Sequence, residues 1–328
     1  MTVTFAAVET PMRAAILTGP GKVEIVETPR PLAEPDQIVV RVEGCGVCAS
    51  NLAPWAGPEW MTFPTRPGEL GHEAWGMVDA VGAEVTSFVA GDRVAILSHR
   101  AYAEFDVVHE DAAILLPADF VGKPFPAEPI ACAMNIFRRS GIGEGMTVAI
   151  VGIGFLGALL TKLASDAGAR VIAISRRASS LDLARAYGAA ETIAMEDHAA
   201  IVAKVKDLTD GKGCAVVIEA VGKQWPLDLA GEIVAERGRL VIAGYHQDGP
   251  RQVSMGMWNW KGLDVINAHE RDPAAYMQGM REAVAEVESG HLDPFALLTH
   301  SFPLERLGDA LDITRDKPEG FVKAVVLP

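Results

Sequence analysis

The hydrophobic pattern of the chain changes character near residue 146. Before that point apolar residues come in short runs cut by glycine and proline: "RAAILTG", "KVEIVETP", "QIVVRVEG", "AWGMVDAVG", "DRVAILSH" and "AYAEFDVV". Runs of this length between turn formers predict strands. No long amphipathic helix interrupts them until "PIACAMNIFRRSG" (129–141). Residues 1–145 are therefore expected to form a β-rich domain with irregular connections.

From Met146 the pattern alternates. "TVAIVG" is an unbroken apolar run, as expected of a strand covered on both faces by helices. A helical stretch follows (Phe155–Ala167), then strand "RVIAIS", helix "SSLDLARAYGA", strand "ETIA", helix "HAAIVAKVKDLT" and strand "CAVVIEAVG". Helix "PLDLAGEIVAERG" and strands "RLVIAGYH" and "LDVINAH" complete the series. Alternating β and α of this length predict a parallel, doubly wound sheet over 146–270, an α/β arrangement. The remainder, 271–328, adds a helix, "PAAYMQGMREAVAEVESG", and a last strand, "GFVKAVVLP". With six strands already in the sheet, this tail is expected to return to the first domain, which makes the sheet domain an insertion.

Composition narrows the function classes. At 328 residues and 49% hydrophobic, the chain has material for two domains with buried cores. A formal net charge of −14 argues against a nucleic-acid partner. Four cysteines are too few for a disulfide framework, so a reducing cytoplasm is expected. The N-terminus lacks the basic-then-apolar pattern of a secretory signal. The apolar run "VAIVGIGFLGALL" falls short of the roughly 20 residues a bilayer requires, so no membrane association is expected.

Two stretches carry chemistry. "VGIGFLG" places Gly152, Gly154 and Gly157 in a G-x-G-x-x-G turn, with Phe155 and Leu156 inside it, after a predicted strand and opening a predicted helix. The first glycine permits the tight turn, the second lets backbone approach a pyrophosphate, and the third lets helix and strand pack closely. The helix start offers free N–H groups and a positive dipole end to the phosphates. About 20 residues on, an NAD site usually carries a carboxylate for the ribose 2′-OH. This chain has Ser175, Arg176 and Arg177 there. Two guanidinium groups suit a 2′-phosphate, so NADP(H) is favoured over NAD(H). The alternative is that the arginines are solvated and NAD is held through Ser175.

The second stretch is "VEGCGVCASN", in which Cys45 and Cys48 form a C-x-x-C. Alone it fits half a zinc site, a redox dithiol or neither. Further along, "ELGHEAWG" sets His72 beside Glu73, and "AEPIAC" sets Glu128 at a helix entry. A thiolate, an imidazole and a carboxylate are a donor set that catalytic zinc sites use, leaving a fourth position open.

With these motifs in order, the chain from Met12 to Pro328 resembles the medium-chain dehydrogenase/reductase superfamily, and within it the zinc-containing alcohol and polyol (sorbitol-like) dehydrogenases. The carriers are "GVCASN", "PGELGHEAWGMVDAVG", "VAGDRVAI", "AYAEF", "EPIAC", "VAIVGIGFLG" and "FPLERLGDALD…GFVKAVVLP". The resemblance implies a GroES-like β-rich catalytic domain with an inserted Rossmann domain. It implies one catalytic zinc per chain on Cys48 and His72, with Glu128 meeting the metal directly or through water and Glu73 as an alternating ligand or supporting carboxylate. Ser50 matches the hydroxyl residue that bonds the substrate alkoxide. The implied reaction is hydride transfer between NADP(H) and an alcohol, polyol or carbonyl, in a homodimer or homotetramer.

Departures from the family pattern matter as well. "GDRVAILSHRAYAEF" lacks the closely spaced cysteines of the structural-zinc lobe, so no structural zinc is expected. Asn51 stands where the family commonly has Asp, which makes the surroundings of the metal less negative. Ala53 stands at the usual relay histidine. Trp55 and Trp60 are open to a pocket or a packing role, and Cys132 to a place near the nicotinamide or plain burial. Cys45 and Cys214 read as buried thiols. Two other readings stay open. One is a zinc-free quinone or enoyl reductase of the same superfamily, a branch that lacks the "GVC" cysteine. The other is a non-catalytic nucleotide-binding or structural protein.

Overall fold

A computed structural model describes residues 11–328. The reading of the extreme N-terminus as lacking a secretory signal thus falls outside the described residues. The chain divides into two compact units. One comprises residues up to Glu128 with His300–Asp316 and Ala324–Pro328; the other comprises Pro129–Thr299 with Lys317–Lys323.

The first unit is built from strands β1 (Pro11–Gly19), β2 (Lys22–Pro29), β3 (Gln37–Gly46), β4 (Glu73–Val81), β5 (Arg93–Leu97), β6 (Phe105–His109) and β7 (Ala113–Leu115). The short helix α1 (Leu52–Ala56) lies between β3 and β4. β1 and β2 form their own antiparallel pair. β3 runs antiparallel to β4 along one edge, with irregularities between Val39/Val40 and Val42/Gly44 that bend the strand. β6 pairs with Gln37–Arg41 of the same strand and so takes its other edge.

The chain enters the second unit through α2 (Ala127–Ser140). There the strands β8 (Thr147–Val151), β9 (Arg170–Ser175), β10 (Glu191–Ala194), β11 (Cys214–Glu219), β12 (Val234–Ile242) and β13 (Asp264–Asn267) alternate with α3 (Phe155–Asp166), α4 (Ala178–Ala186), α5 (His198–Leu208), α6 (Gln224–Ile233) and α7 (Met255–Lys261). α8 (Pro273–Glu288) follows. The strand order is β10-β9-β8-β11-β12-β13, every pair parallel. The order reverses between β8 and β11, where open α/β sheets bind ligands at their carboxyl ends. Ile172, Ile174, Val217 and Leu240 fill the core under α5 and α6.

The return to the first unit comes later than residue 271. It begins with β14 (His300–Pro303), continues through α9 (Leu307–Asp316) and ends with β15 (Ala324–Leu327). The reason is packing: Gly279 of α8 lies so close to Ala131 of α2 that a Cβ there would meet the Ala131 carbonyl at 2.9 Å. Arg138 pairs with Glu282 across the same two helices at 2.6 Å. β15 pairs antiparallel with β3 at Gly46 and Cys45, beside β6 on that edge, and closes the order β14-β15-β3-β4-β5-β7. One predicted helix is cut short. "VAERG" leaves α6 to start β12, because Val234 is buried against the sheet and pairs with Cys214. Among the described residues no helix is long and apolar enough to cross a membrane.

Candidate metal and nucleotide sites

The register of β3 on β4 assembles the first site. Gly46 faces Glu73 and Cys45 faces Ala74. Cys48 follows the end of β3 and His72 precedes the start of β4, so antiparallel pairing brings together residues distant in sequence. One ligand atom each from Cys48, His72 and Glu73 lies within 4.8 Å of the others. Glu73 is fully buried. Its carboxylate lies over Gly46, where a Cβ would fall 1.9 Å from Oε2, so only glycine leaves room for it.

Local bonds fix Cys48 and His72. Cys48 caps the one-turn helix Ala49–Asn51, its Sγ accepting from the Ser50 N–H at 3.5 Å. His72 Nδ1 lies 2.8 Å from the Leu70 carbonyl. A carbonyl only accepts, so Nδ1 carries the proton and Nε2 is the nitrogen available as a ligand. Burial works against a charged His72 ring. The bond to Cys48 and the negative charges of Cys48, Glu128 and Glu73 outweigh it and raise the pKa to about 10. The pocket thus favours a cation among its donors. Thiolate, imidazole and carboxylate together are the chemistry of a zinc site, and the residues present fit that ion.

The carbonyl that orients His72 belongs to a residue with φ of 78°. Left-handed backbone costs a leucine roughly 1–2 kcal/mol, so the surrounding bonds must hold it. The Leu70 carbonyl also accepts from Asn51 Nδ2 at 3.2 Å. The same amide nitrogen donates to the Tyr102 hydroxyl at 2.7 Å, and Tyr102 donates to the Gly46 carbonyl at 3.3 Å. Burial, with the charges of Cys45, Glu73 and Cys48, pushes the Tyr102 phenol well above its usual range, so it remains a donor. Ser50 Oγ donates to Asn51 Oδ1 at 3.4 Å. Glu128 is buried in the first turn of α2 and acts on His72 through its charge. Sequence reasoning left open whether Glu73 or Glu128 meets the metal directly; the close set in the structure contains Glu73. It missed Leu70, which no residue-type signal marks, and Tyr102, which was visible only as part of "AYAEF".

The second site lies at the carboxyl end of β8. Gly152 has φ of 102°, the left-handed region that favours glycine. A Cβ on Gly157 would fall 2.0 Å from the Gly152 carbonyl, so α3 packs on the turn only because residue 157 has none. A Cβ on Gly154 would meet nothing within 4 Å. That open cradle, at the N-cap of α3, fits a pyrophosphate. Phe155 and Leu156 begin the helix. Ser175 ends β9 and is buried. Arg176 is exposed, whereas Arg177 donates to the carbonyls of Pro318, at 3.2 Å, and Phe321. Lys323 Nζ sits 5.2 Å from the centre of the Phe155 ring. Sequence reasoning treated that lysine only as part of a strand.

Comparison with known proteins settles the family. Residues 34–118 match the alcohol dehydrogenase GroES-like domain, and residues 156–286 match the zinc-binding dehydrogenase family. A quinone oxidoreductase from Pseudomonas aeruginosa is 32% identical over 237 residues, covering 70% of this chain and 72% of that protein. The chain belongs to the medium-chain dehydrogenase/reductase superfamily. An erythritol/L-threitol dehydrogenase from Mycolicibacterium smegmatis is 27% identical over 97% of this chain and 98% of its own length. A Sinorhizobium meliloti 1021 protein described as a zinc-binding dehydrogenase, solved bound to NADP, is 26% identical. It superposes with a TM-score of 0.81 over 97% of this chain and all of that one.

In this medium-chain dehydrogenase/reductase the remaining candidates take plainer places. Trp55 is buried and its Nε1 donates to Asp312 at 2.9 Å, which anchors α1 to α9. Trp60 is exposed. Cys45 and Cys214 are buried, and Cys132 is half-buried on α2.

Proposed function

We propose that this chain is a zinc-dependent oxidoreductase that moves a hydride between NADP(H) and an alcohol or polyol, or the corresponding carbonyl. The observation that carries the reading is the convergence of Cys48, His72 and Glu73 at the β3–β4 register, in a pocket that raises His72 to about 10. The polyol relative and the NADP-bound neighbour support the substrate class and the cofactor. When bound, a zinc ion supplies Lewis-acid polarisation of the substrate oxygen, and the nicotinamide supplies or accepts the hydride.

The protein's own residues do the rest. Cys48, His72 and a carboxylate, Glu73 or Glu128, hold the ion. Ser50 gives its hydroxyl hydrogen to Asn51 Oδ1 and therefore offers a lone pair to the substrate hydroxyl. An amide oxygen does not relay a proton onward, so proton exit runs through the cofactor ribose or water rather than along Ser50–Asn51. The Gly154 cradle takes the pyrophosphate. The enzyme is read as cytoplasmic and as a homodimer or homotetramer.

The quinone oxidoreductase relative favours a second reading, a zinc-free quinone reductase. Metal analysis separates the two. The zinc reading expects one zinc per chain by mass spectrometry of the purified protein. It also expects Cys48→Ser and His72→Ala each to lower turnover of an alcohol panel by orders of magnitude. A metal-free protein that reduces quinones with NADPH at full rate in both variants would establish the second reading instead.

A further inference from the structure

The end of β9 is shaped by residues far from it in sequence. The two bonds from Arg177 to Pro318 and Phe321 tie the segment 317–323 to the start of α4. This brings Glu319 onto the first turn of that helix, where its Oε1 accepts from the Ser179 N–H at 2.5 Å. The N–H of Gly320 donates to Ser179 Oγ at 3.2 Å, which locks the segment in the same register. The bonds from Ser179, and more weakly the charge of Arg177, hold the Glu319 carboxyl below its usual range. The side chain is therefore an anion at neutral pH. It sits on the positive end of a helix within reach of the charge of Arg177, the residue after Arg176, at the strand end where dinucleotide sheets sort phosphorylated from unphosphorylated ribose.

We infer that Glu319 is a cofactor-selectivity residue: the tail supplies the carboxylate that β9 itself lacks, and this carboxylate opposes a 2′-phosphate. The inference rests on the dinucleotide reading of the Gly152–Gly157 turn. A phosphate placed against Arg176 meets a second anion already seated on the Ser179 N–H and facing Arg177. One of the two must be displaced or bear the repulsion. An unphosphorylated ribose meets no such conflict, and its 2′-OH can donate to the carboxylate. The two arginines and Glu319 thus act in opposite directions, and NADP(H) binds less tightly than the arginines alone would allow.

The test uses the full-length protein and two probes that differ only in the 2′-phosphate, 2′,5′-ADP and 5′-AMP, titrated calorimetrically. NADPH and NADH are titrated in parallel by nicotinamide fluorescence. Glu319→Gln retains an oxygen to accept from Ser179 and removes only the charge; Glu319→Ala serves as a second variant. In both, the dissociation constants of 2′,5′-ADP and NADPH are expected to fall about three- to tenfold, the scale of one removed like charge. Those of 5′-AMP and NADH should stay level or rise. If wild type binds both nucleotides and the ratio does not move in either variant, the role of Glu319 is overturned while the dinucleotide site stands. If wild type binds neither, the dinucleotide site falls and the inference with it.

Discussion

At the scale of single residues, the direction of each hydrogen bond around the candidate metal cluster is decisive. Tyr102 donates to the Gly46 carbonyl and so can only accept from Asn51, while the Leu70 carbonyl accepts from both Asn51 and His72. Residue 51 must therefore supply two donor hydrogens, which an amide has and a carboxylate lacks. Asn51→Asp, although it introduces the family's commoner residue, would set an acceptor against the Leu70 carbonyl. Zinc affinity in the variant should drop about tenfold or more, on the scale seen for residues that orient ligands. Competition with a chromogenic chelator measures it, and unchanged affinity would rule out this polarity argument. His72 gives a second expectation. Its pKa in the metal-free fold lies at about 10, above the ordinary 6.5, so the ring is protonated at neutral pH. Zinc uptake must release that proton, and affinity should rise with pH, by up to about tenfold per unit, until pH reaches about 10. The sign for stability is the opposite: the contribution of His72 to the metal-free protein is fully present below about 6.5 and is lost as pH rises through about 10. Melting temperature of the apoprotein across that window reads it directly.

At the scale of elements, the glycine-rich turn separates folding from binding within one motif. Gly157 is required by the close approach of α3 to the turn, since its Cβ would strike the backbone carbonyl of Gly152 at 2.0 Å, and backbone there has nowhere to go. Gly154 has open space around its Cβ position. Gly157→Ala should therefore cost about 1–3 kcal/mol, the range for overpacking, with a matching fall in melting temperature. Gly154→Ala should melt like the parent yet bind NADPH far more weakly, because its methyl would fill the proposed pyrophosphate cradle. Equal melting temperatures for the two variants would contradict this division. The strand-and-helix series of the second unit was legible from period alone: unbroken apolar runs such as "TVAIVG" and "RVIAIS" match β8 and β9. α7, "MGMWNWK", escaped because it is a single short turn pair with aromatic residues on exposed and buried sides. The start of β12 escaped because "VAERG" continues a helical pattern, and only burial of Val234 beside Cys214 ends α6.

At the scale of the whole molecule, the tail shows what chain order conceals. Residues 300–316 and 324–328 complete the first unit, whereas 317–323 belong to the second. A reader of "GFVKAVVLP" sees one strand; in the fold, Glu319 just before it sits on α4, Lys323 faces Phe155, and Val325 and Val326 pair with Gly46 and Cys45 beside the candidate metal cluster. Motif spacing and hydrophobic period established the fold class and the glycine turn, because these depend on local backbone geometry, and the family resemblance of the ordered motifs singled out Cys48 and His72 as ligand candidates. They also predicted that the tail would return to the first domain. Three matters were decided only by tertiary contact. The place of Glu73 in the close set with Cys48 and His72 follows from the β3–β4 register, which sets it opposite Gly46. The state of Arg177 follows from the carbonyls that the tail presents to it. The left-handed backbone of Leu70 is held by an amide, Asn51, that is bound in turn to a tyrosine on another segment. In each case the deciding partner is distant in sequence, and a hydrogen bond or a steric limit between distant segments leaves no period or spacing for the linear pattern to carry.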